Sequence, residues 1–567
     1  ACSKAGGGKV VVPAGTWNTG SIRMQSNVNL VVEKGATILF AFDPSLYPLV
    51  KTRWEGLDIM NYSPCVYAYQ AKNIAITGEG TIDGNGSRET WWPWCGATKY
   101  GFVAGKTDQS QSMPYMGKNQ QYKQVDDKGN IKTNRNTLLW MSDNGVPTEE
   151  RVFGPKCGMR PQLINFYQCE NILIEDVTLL RSPFWVIHPT LSKNITVRRC
   201  KIVNDGPNGD GCDPESCENV LIEDCLFDTG DDCIAIKSGR NADGRRTPAP
   251  SRNIIVRGCT MADGHGGVVV GSEISAGVQN VFAENCKMDS PNLDRVLRIK
   301  TNTCRGGVTD GIYMRNVTVG QCREAVLRVN LVYEPKEQAK RGFVPTVRNI
   351  YMENVTCEKS KYGVLLNGLD EESNIHDIHI KNCTFNGVQD QPVRRTGKSH
   401  NIRFDNLVIN GKTILSEAPF KRYSEWMTWS EMQRVPEPYY LDFTDKKKRP
   451  HGKWSYVMGI EMEGMLDTWL AYQNPAIAEY LKKYPAKMID AEGNVTGYKL
   501  EDYNLDNVRT GRFILRMNRL FPDAKTAGTQ KAVETIFKQL QKQPRTKTGA
   551  GGKGVFWHKA IYAWQVW

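Results

Sequence analysis

Nine short units recur between Asn171 and Leu407, and no other feature limits the possible folds so strongly. They read NILIEDV (from Asn171), NITVRRC (Asn194), NVLIEDC (Asn219), NIIVRGC (Asn253), NVFAENC (Asn280), GIYMRNV (Gly311), NIYMENV (Asn349), DIHIKNC (Asp377) and NIRFDNL (Asn401). Each is a turn residue, an alternating β-branched or apolar run, and a second Asn/Asp/Gly turn. The starts lie 23 to 38 residues apart. That is too short and too β-branched for helical repeats, while four-stranded propeller blades need about 40 residues each. One short strand per turn of chain fits a right-handed parallel β-helix, whose coils stack at about 4.8 Å.

The cysteines follow the same ladder. Of the sixteen in the chain, Cys200, Cys225, Cys259, Cys286 and Cys383 take the seventh position of their units, where other units carry Val177, Val317, Val355 and Leu407. A position shared by Cys, Val and Leu is an inward apolar column, in which free cysteine acts as a small hydrophobe. This speaks against metal ligation and against a disulfide framework, although Cys212 and Cys217 are close enough in sequence to leave pairing open.

Before the ladder, KVVVPAGTW and SNVNLVVEKGATILF read as strands of an irregular first layer. The segment 87–160 has no clean period and is rich in Trp, Tyr, Gly and Lys; its length and aromatics suggest a functional loop. Past Lys412 the ladder stops, and 416–450 reads as a linker ending in Lys446-Lys447-Lys448-Arg449 and Pro450. Beyond it SYVMGIEMEGMLDTWLAY, NPAIAEYLKKYPAKMID, TGRFILRMNRLF and GTQKAVETIFKQLQK carry apolar residues three and four apart, so a second unit, 451–567, is all-α. Pro475 suits a first helical turn. The domains expected are therefore a β-helix over 1–415, the linker, and the helical unit. No apolar run approaches the roughly 20 residues of a membrane span. The net charge of +12 favours an acidic partner, nucleic acid or polyanionic sugar, over a basic one, although solvated lysine faces are the commoner explanation.

Two acidic clusters stand out: Asp210 with Asp213, and Asp231 beside Asp232. Adjacent carboxylates repel, and such pairs mark metal sites, tuned proton donors or, more blandly, solvated turns. The repeat register decides among these. Asp231 lies 12 residues after Asn219, and His265 lies 12 after Asn253, so the two stack one coil apart. Asp210 falls on the coil before, and Arg298 and Lys300 on the coil after, the last two on one strand face. Alone, His265 reads as a surface histidine and Arg298 as a solvated charge; four consecutive coils carrying all of them read as a site. Carboxylates on neighbouring coils are at least about 5 Å apart, compatible with the roughly 6.5–9.5 Å of an inverting glycosidase. Crowding should raise at least one carboxyl pKa, and Arg298 and Lys300 can hold a substrate carboxylate.

NGDGCD (208–213), GDDC (230–233), GHG (264–266) and RIK (298–300), in that order on a β-helix, resemble glycoside hydrolase family 28, the polygalacturonases. The resemblance covers about residues 1 to 415. It implies inverting hydrolysis of α-1,4-galacturonosyl bonds in polygalacturonate or pectin, with no cofactor and no metal. By the same resemblance Asp232 would be the general acid, and Asp210 and Asp231 would position and deprotonate the water. His265 would support the acid, Arg298 and Lys300 would bind the galacturonate carboxylate, and Asn208 would contact substrate. Gly209 stands where many members carry Thr or Ser, and Gly230 where fungal enzymes carry Gln. The substrate class implies a secreted or periplasmic monomer that binds no nucleic acid.

The helical tail resembles the start of glycoside hydrolase family 105, the unsaturated rhamnogalacturonyl hydrolases with an (α/α)6 barrel, through KWSYVMGIEMEGMLDTWLAY, YNLDNVRTGRFIL and FWHKAIYAWQVW. Asp506 would be a substrate-contacting acid there. That family's catalytic aspartate lies just past the final Trp of the last segment, so the resemblance implies an incomplete, inactive copy of the barrel. Three other functions fit parts of the pattern. A rhamnogalacturonan hydrolase would suit the fused tail; a calcium-dependent pectate lyase would use the aspartates as metal ligands; a non-catalytic β-helix would only bind polysaccharide.

Overall fold

The computed structural model describes residues 1–371, 374–416, 423–441, 451–545, 554 and 556–559. The basic run 446–449, Pro450 and the last part of the tail, 560–567, lie outside the described residues. The chain divides into two compact units, Ala1–Glu417 and Ala418–Trp567.

The first unit is a parallel β-helix. Its largest sheet is a ladder of 21 strands, nearly all parallel and in register. One inward column runs Ile172, Ile195, Val220, Ile254, Val281, Ile312, Ile350, Ile378, Ile402 without a slip. Because side chains alternate faces with period two, each repeat unit buries the same positions, and the strand Glu218–Glu223 shows the resulting alternation of buried and partly exposed residues. The cysteine column points inward as expected: Cys200, Cys225, Cys259, Cys286 and Cys383 are all buried, and all sixteen cysteines are free thiols, Cys212 and Cys217 included.

The asparagine that opens most units has a physical reason. Asn27, Asn73, Asn171, Asn194, Asn219, Asn253 and Asn280 all sit at φ between 53 and 62°, a region asparagine tolerates better than other side chains. Each amide Nδ2 from Asn73 onward donates to the Oδ1 of the one on the preceding coil, at 2.9 to 3.4 Å. Gly311 takes the next coil's position at φ 75°.

A second face is formed by strands in two groups of four and six. Between them lies Cys212–Glu215, joined to its neighbours only by single bridges to Ile187, Thr190, Ile234 and Lys237. The Gly- and Pro-containing text NGDGCDPES does not sustain a regular strand, so the face is interrupted at the first acidic cluster.

Sequence reading missed the antiparallel hairpin Leu49–Trp54 with Leu57–Tyr62. The segment 87–160, expected as a functional loop, is built around packing. It contains the helix Asn134–Asp143, capped by Thr133 Oγ1, and builds a satellite core of Trp54, Tyr115, Leu138, Met141, Phe153 and Phe184. Its Trp91, Trp92 and Trp94 are buried against the β-helix core. Most of its aromatics are therefore structural.

The second unit is helical among the described residues, with helices Tyr423–Arg434, Tyr456–Tyr472, Pro475–Met488, Asp506–Leu520 and Ala527–Lys542. Pro475 opens its helix behind an Asn474 cap. The first helix falls inside the segment expected as a linker; Thr428 of that helix donates to Thr468 at 3.2 Å, and Tyr480 donates to the Val435 carbonyl at 2.6 Å. No helix of the described residues is long and apolar enough to cross a membrane.

Candidate active site

Asp210 lies in the interrupted stretch of the second face, and Asp231 and Asp232 immediately precede the strand Ile234–Ile236. The three carboxylates each offer an oxygen, all within 4.8 Å of one another. Stacking does this directly: the Gly211 amide donates to the Asp232 carbonyl at 3.0 Å, and the His265 amide donates to the Asp231 carbonyl at 2.9 Å. The Asp232 amide donates to Asp231 Oδ1 at 3.0 Å, which turns the two adjacent carboxylates apart.

Those two aspartates meet opposite environments. Asp232 is fully buried, with Arg298 Nη1 donating to one oxygen at 3.0 Å and Lys300 Nζ to the other at 2.7 Å. Burial alone would raise its pKa, but the two cations outweigh burial and hold it well below the usual carboxylate range. Asp231 is partly exposed and pairs with His265 Nδ1 at 3.1 Å. Burial acts against its ionisation too, but the His265 hydrogen bond lowers its pKa and in turn raises that of His265. Both shifts favour the Asp231 carboxylate paired with the His265 imidazolium.

Asp210 is the opposite case. Burial, and next the Asp231 charge, push its carboxyl up to about 7 despite the nearby Lys237. Asp213, fully buried, is likewise raised well above its usual value, by burial and by Asp210. Lys237, 2 % exposed, sits 3.6 Å from each of these carboxylates and 3.1 Å from Glu273, with the Trp185 ring 4.4 Å away.

The sequence-predicted residues thus come together: Asp210, Asp231, Asp232, His265, Arg298 and Lys300 form one cluster. Asn208, two residues from Asp210, accepts a hydrogen bond from Arg160 rather than from any of them. Arg298 and Lys300, expected to meet substrate, hold Asp232; Arg298 uses only Nη1 for this, so Nε and Nη2 have no protein acceptor among the described residues. Sequence reasoning missed Lys237, Glu273 and Tyr333, whose ring lies 5.7 Å from the Arg298 guanidinium carbon and 5.3 Å from Lys300 Nζ. In the helical unit, Asp506 opens its helix and pairs with His558 Nε2 at 2.7 Å and Lys559 Nζ at 3.4 Å.

The aspartate triad has the ligand types for a hard cation, but the donor set does not fit one. Both Asp232 oxygens are committed to cations, and Lys237 adds a third positive charge beside Asp210.

The model of glycosyl hydrolases family 28 matches residues 101–403. The chain belongs to glycosyl hydrolases family 28. It is a glycoside hydrolase. A solved exopolygalacturonase from Thermotoga maritima is 40% identical, with a TM-score of 0.65 over 73% of this chain and 86% of that one. A probable polygalacturonase of Vitis vinifera is 28% identical over 397 residues, 67% of each chain. The exo-poly-alpha-D-galacturonosidase of Dickeya chrysanthemi is 25% identical over 428 residues, 71% of this chain and 66% of that one. The chain spans about two thirds of the length of these two curated relatives. The Glycosyl Hydrolase Family 88 model, the one that takes in family 105, matches residues 423–567.

The raised Asp210 carboxyl has a thermodynamic consequence. A group whose folded pKa lies near 7 and whose unfolded pKa lies near 3.8 binds more protons folded than unfolded in that window. Its contribution to stability is complete below pH 3.8 and is lost as pH rises through 7. Asp210→Asn cannot titrate. The variant is therefore expected to gain on wild type by roughly 2–4 kcal/mol between pH 4 and pH 8, read as a widening difference in thermal midpoint; a constant difference would place the raised pKa elsewhere.

Proposed function

We propose that the β-helix unit hydrolyses α-1,4-galacturonosyl bonds of polygalacturonate or pectin with inversion at the anomeric carbon. The observation that carries this is the division of labour within one carboxylate cluster: Asp232 clamped by Arg298 and Lys300, Asp231 paired with His265. The names of the relatives support the substrate class.

The electrostatics favour a different assignment of roles from the one the resemblance implied. An acid clamped by two cations gives up its proton long before neutral pH, so Asp232 is a poor proton donor and stands as an ionised carboxylate that can receive one. Asp231 is the part-exposed member, hydrogen-bonded to the His265 reservoir. In this reading the His265 imidazolium is the proton source, and its proton passes through Asp231 to the glycosidic oxygen as the bond to the leaving sugar breaks. Asp232 takes a proton from the attacking water, and Asp210 orients the water. The free Nε and Nη2 donors of Arg298 and the remaining protons of Lys300 Nζ bind the carboxylate of the sugar being cleaved.

Spacing by itself does not decide the stereochemistry. The oxygens within 4.8 Å are one chosen atom of each group, whereas the roughly 5–5.5 Å of retaining and 6.5–9.5 Å of inverting enzymes separate whole carboxyl groups. A retaining enzyme needs a carboxylate nucleophile, however, and both Asp232 oxygens are already donated to by cations, which lowers their nucleophilicity. Water is the better nucleophile here. Proton NMR of the first-formed product decides the point: the β-anomer of the new reducing end is expected, and initial α-anomer would establish retention. Reducing-sugar release that persists in chelator, with no ultraviolet-absorbing unsaturated product, is expected as well; a chelator-sensitive unsaturated product would make the enzyme a lyase. Faster release from rhamnogalacturonan than from polygalacturonate would move the substrate, with the mechanism intact.

A further inference from the structure

Arg160, at the end of the 87–160 segment, is 0 % exposed. Its donors meet only uncharged acceptors. Nη1 donates to the carbonyls of Pro183 at 3.0 Å and Pro207 at 2.6 Å, and Nη2 to Gln111 Oε1 at 3.3 Å and Asn208 Oδ1 at 2.7 Å. Nε has no acceptor. Among the described residues no carboxylate oxygen lies within 4.0 Å. Burial pushes the guanidinium down to about 10, outweighing the pull of Cys95, Glu55 and Tyr100. Three other fully buried arginines are compensated: Arg53 by Asp58 and Glu215, Arg240 by Glu55, and Arg305 by Glu337. A buried cation lacking its counter-ion is costly, and this one lies against the loop that carries Asp210.

We propose that Arg160 is a positioning residue whose counter-ion is a substrate carboxylate, engaged through the Asn208 amide at a sugar subsite adjoining the cleaved bond. This rests on the galacturonan reading above. Arginine has no acceptor, so its bond to Asn208 fixes Oδ1 inward and turns the two Nδ2 protons away from Arg160. Asn208 is partly exposed, at φ 52°. Its outward edge is then a pure donor, polarised by the guanidinium behind it, and it selects an anionic acceptor over a sugar hydroxyl that must donate. A neutral sugar would leave the buried charge uncompensated; a uronate supplies what the fold omits.

The test compares wild type with Asn208→Asp, Arg160→Lys and Arg160→Gln by KM and kcat on a galacturonate oligomer and by thermal midpoint. Aspartate tolerates the positive φ, so Asn208→Asp keeps the loop and gives Arg160 an internal counter-ion. Its midpoint is expected to rise while its KM rises at least tenfold. Arg160→Gln, which removes the charge, is expected to raise KM at least tenfold with a smaller fall in kcat; Arg160→Lys, which keeps it, stays within threefold. A residue that merely pinned the loop would lose kcat and midpoint alike in both Arg160 variants. An unmoved KM or a lowered midpoint in Asn208→Asp overturns the proposal even if Arg160→Gln does not fold. Wild-type inactivity toward galacturonate oligomers would instead fell the substrate reading, and the anionic ligand with it.

Discussion

Asp231→Asn and Asp232→Asn are each expected to lower kcat on polygalacturonate by about 10³-fold, within the 10²–10⁴ range of single acid or base groups, or roughly 4 kcal/mol of barrier. The two losses should then part company on a substrate that needs no acid. A galacturonosyl fluoride expels its leaving group without protonation, so it bypasses whichever residue is the proton donor. Asp231→Asn should recover to within about tenfold of wild type on that substrate, because its ionised base, Asp232, is intact. Asp232→Asn should not recover, because the attacking water still has no base. The reasoning is electrostatic: Asp232 is bonded on both oxygens to Arg298 and Lys300, and Asp231 faces His265. Rescue of Asp232→Asn in place of Asp231→Asn would return the acid's role to Asp232. Asparagine is nearly isosteric with aspartate, so a fold defect cannot mimic a leaving-group effect.

The adjacent aspartates also show where sequence stops being informative. That Asp231 and Asp232 belong to a site was legible, because the unit period places His265 and Arg298 on the next two coils, and the register Val269 to Arg298 and Gly271 to Lys300 holds in the structure. Which of the two is the acid was not legible. Neighbours in sequence have no distinguishing chemistry until one side chain meets a histidine and the other two cations. The β-helix itself was readable for the opposite reason. Its constraints are local and repeated: an asparagine at positive φ, an inward isoleucine or valine, a seventh residue small enough for the column. The hairpin 49–62 and the satellite core around Phe153 repeat nothing, so no period announces them. Lys237 is the instructive miss. It ends the run CIAIK and looks like an ordinary solvated lysine, yet its partners Asp210, Asp213 and Glu273 lie 24 to 36 residues away in sequence. Only coil stacking brings them together.

Lys237→Met is accordingly expected to be among the most destabilising single changes in the β-helix unit, by roughly 3–5 kcal/mol near neutral pH. Methionine matches the length and volume of the buried stem, so little of the cost is a cavity. What is lost is the cation that offsets Asp210, Asp213 and Glu273, all of which are buried. Glu273 keeps a weaker partner in Arg240 at 3.9 Å. Asp213 has no other ionic partner among the described residues, and both its oxygens lack a hydrogen-bond donor. Asp210 and Asp213 already bind protons more tightly folded than unfolded; without Lys237 their carboxyl pKa values rise further. By linkage the folded state then loses stability as pH climbs from about 4 through the raised values. The destabilisation should therefore be smaller at pH 4, where Asp210 and Asp213 are neutral, and largest at pH 8; the share owed to Glu273, which the neighbouring cations hold well below the usual carboxylate range against its burial, persists throughout. Thermal midpoints of wild type and variant across that range measure it. A penalty independent of pH would mean that Lys237 acts only through packing and its pair with Glu273, and that Asp210 and Asp213 are held by something other than its charge.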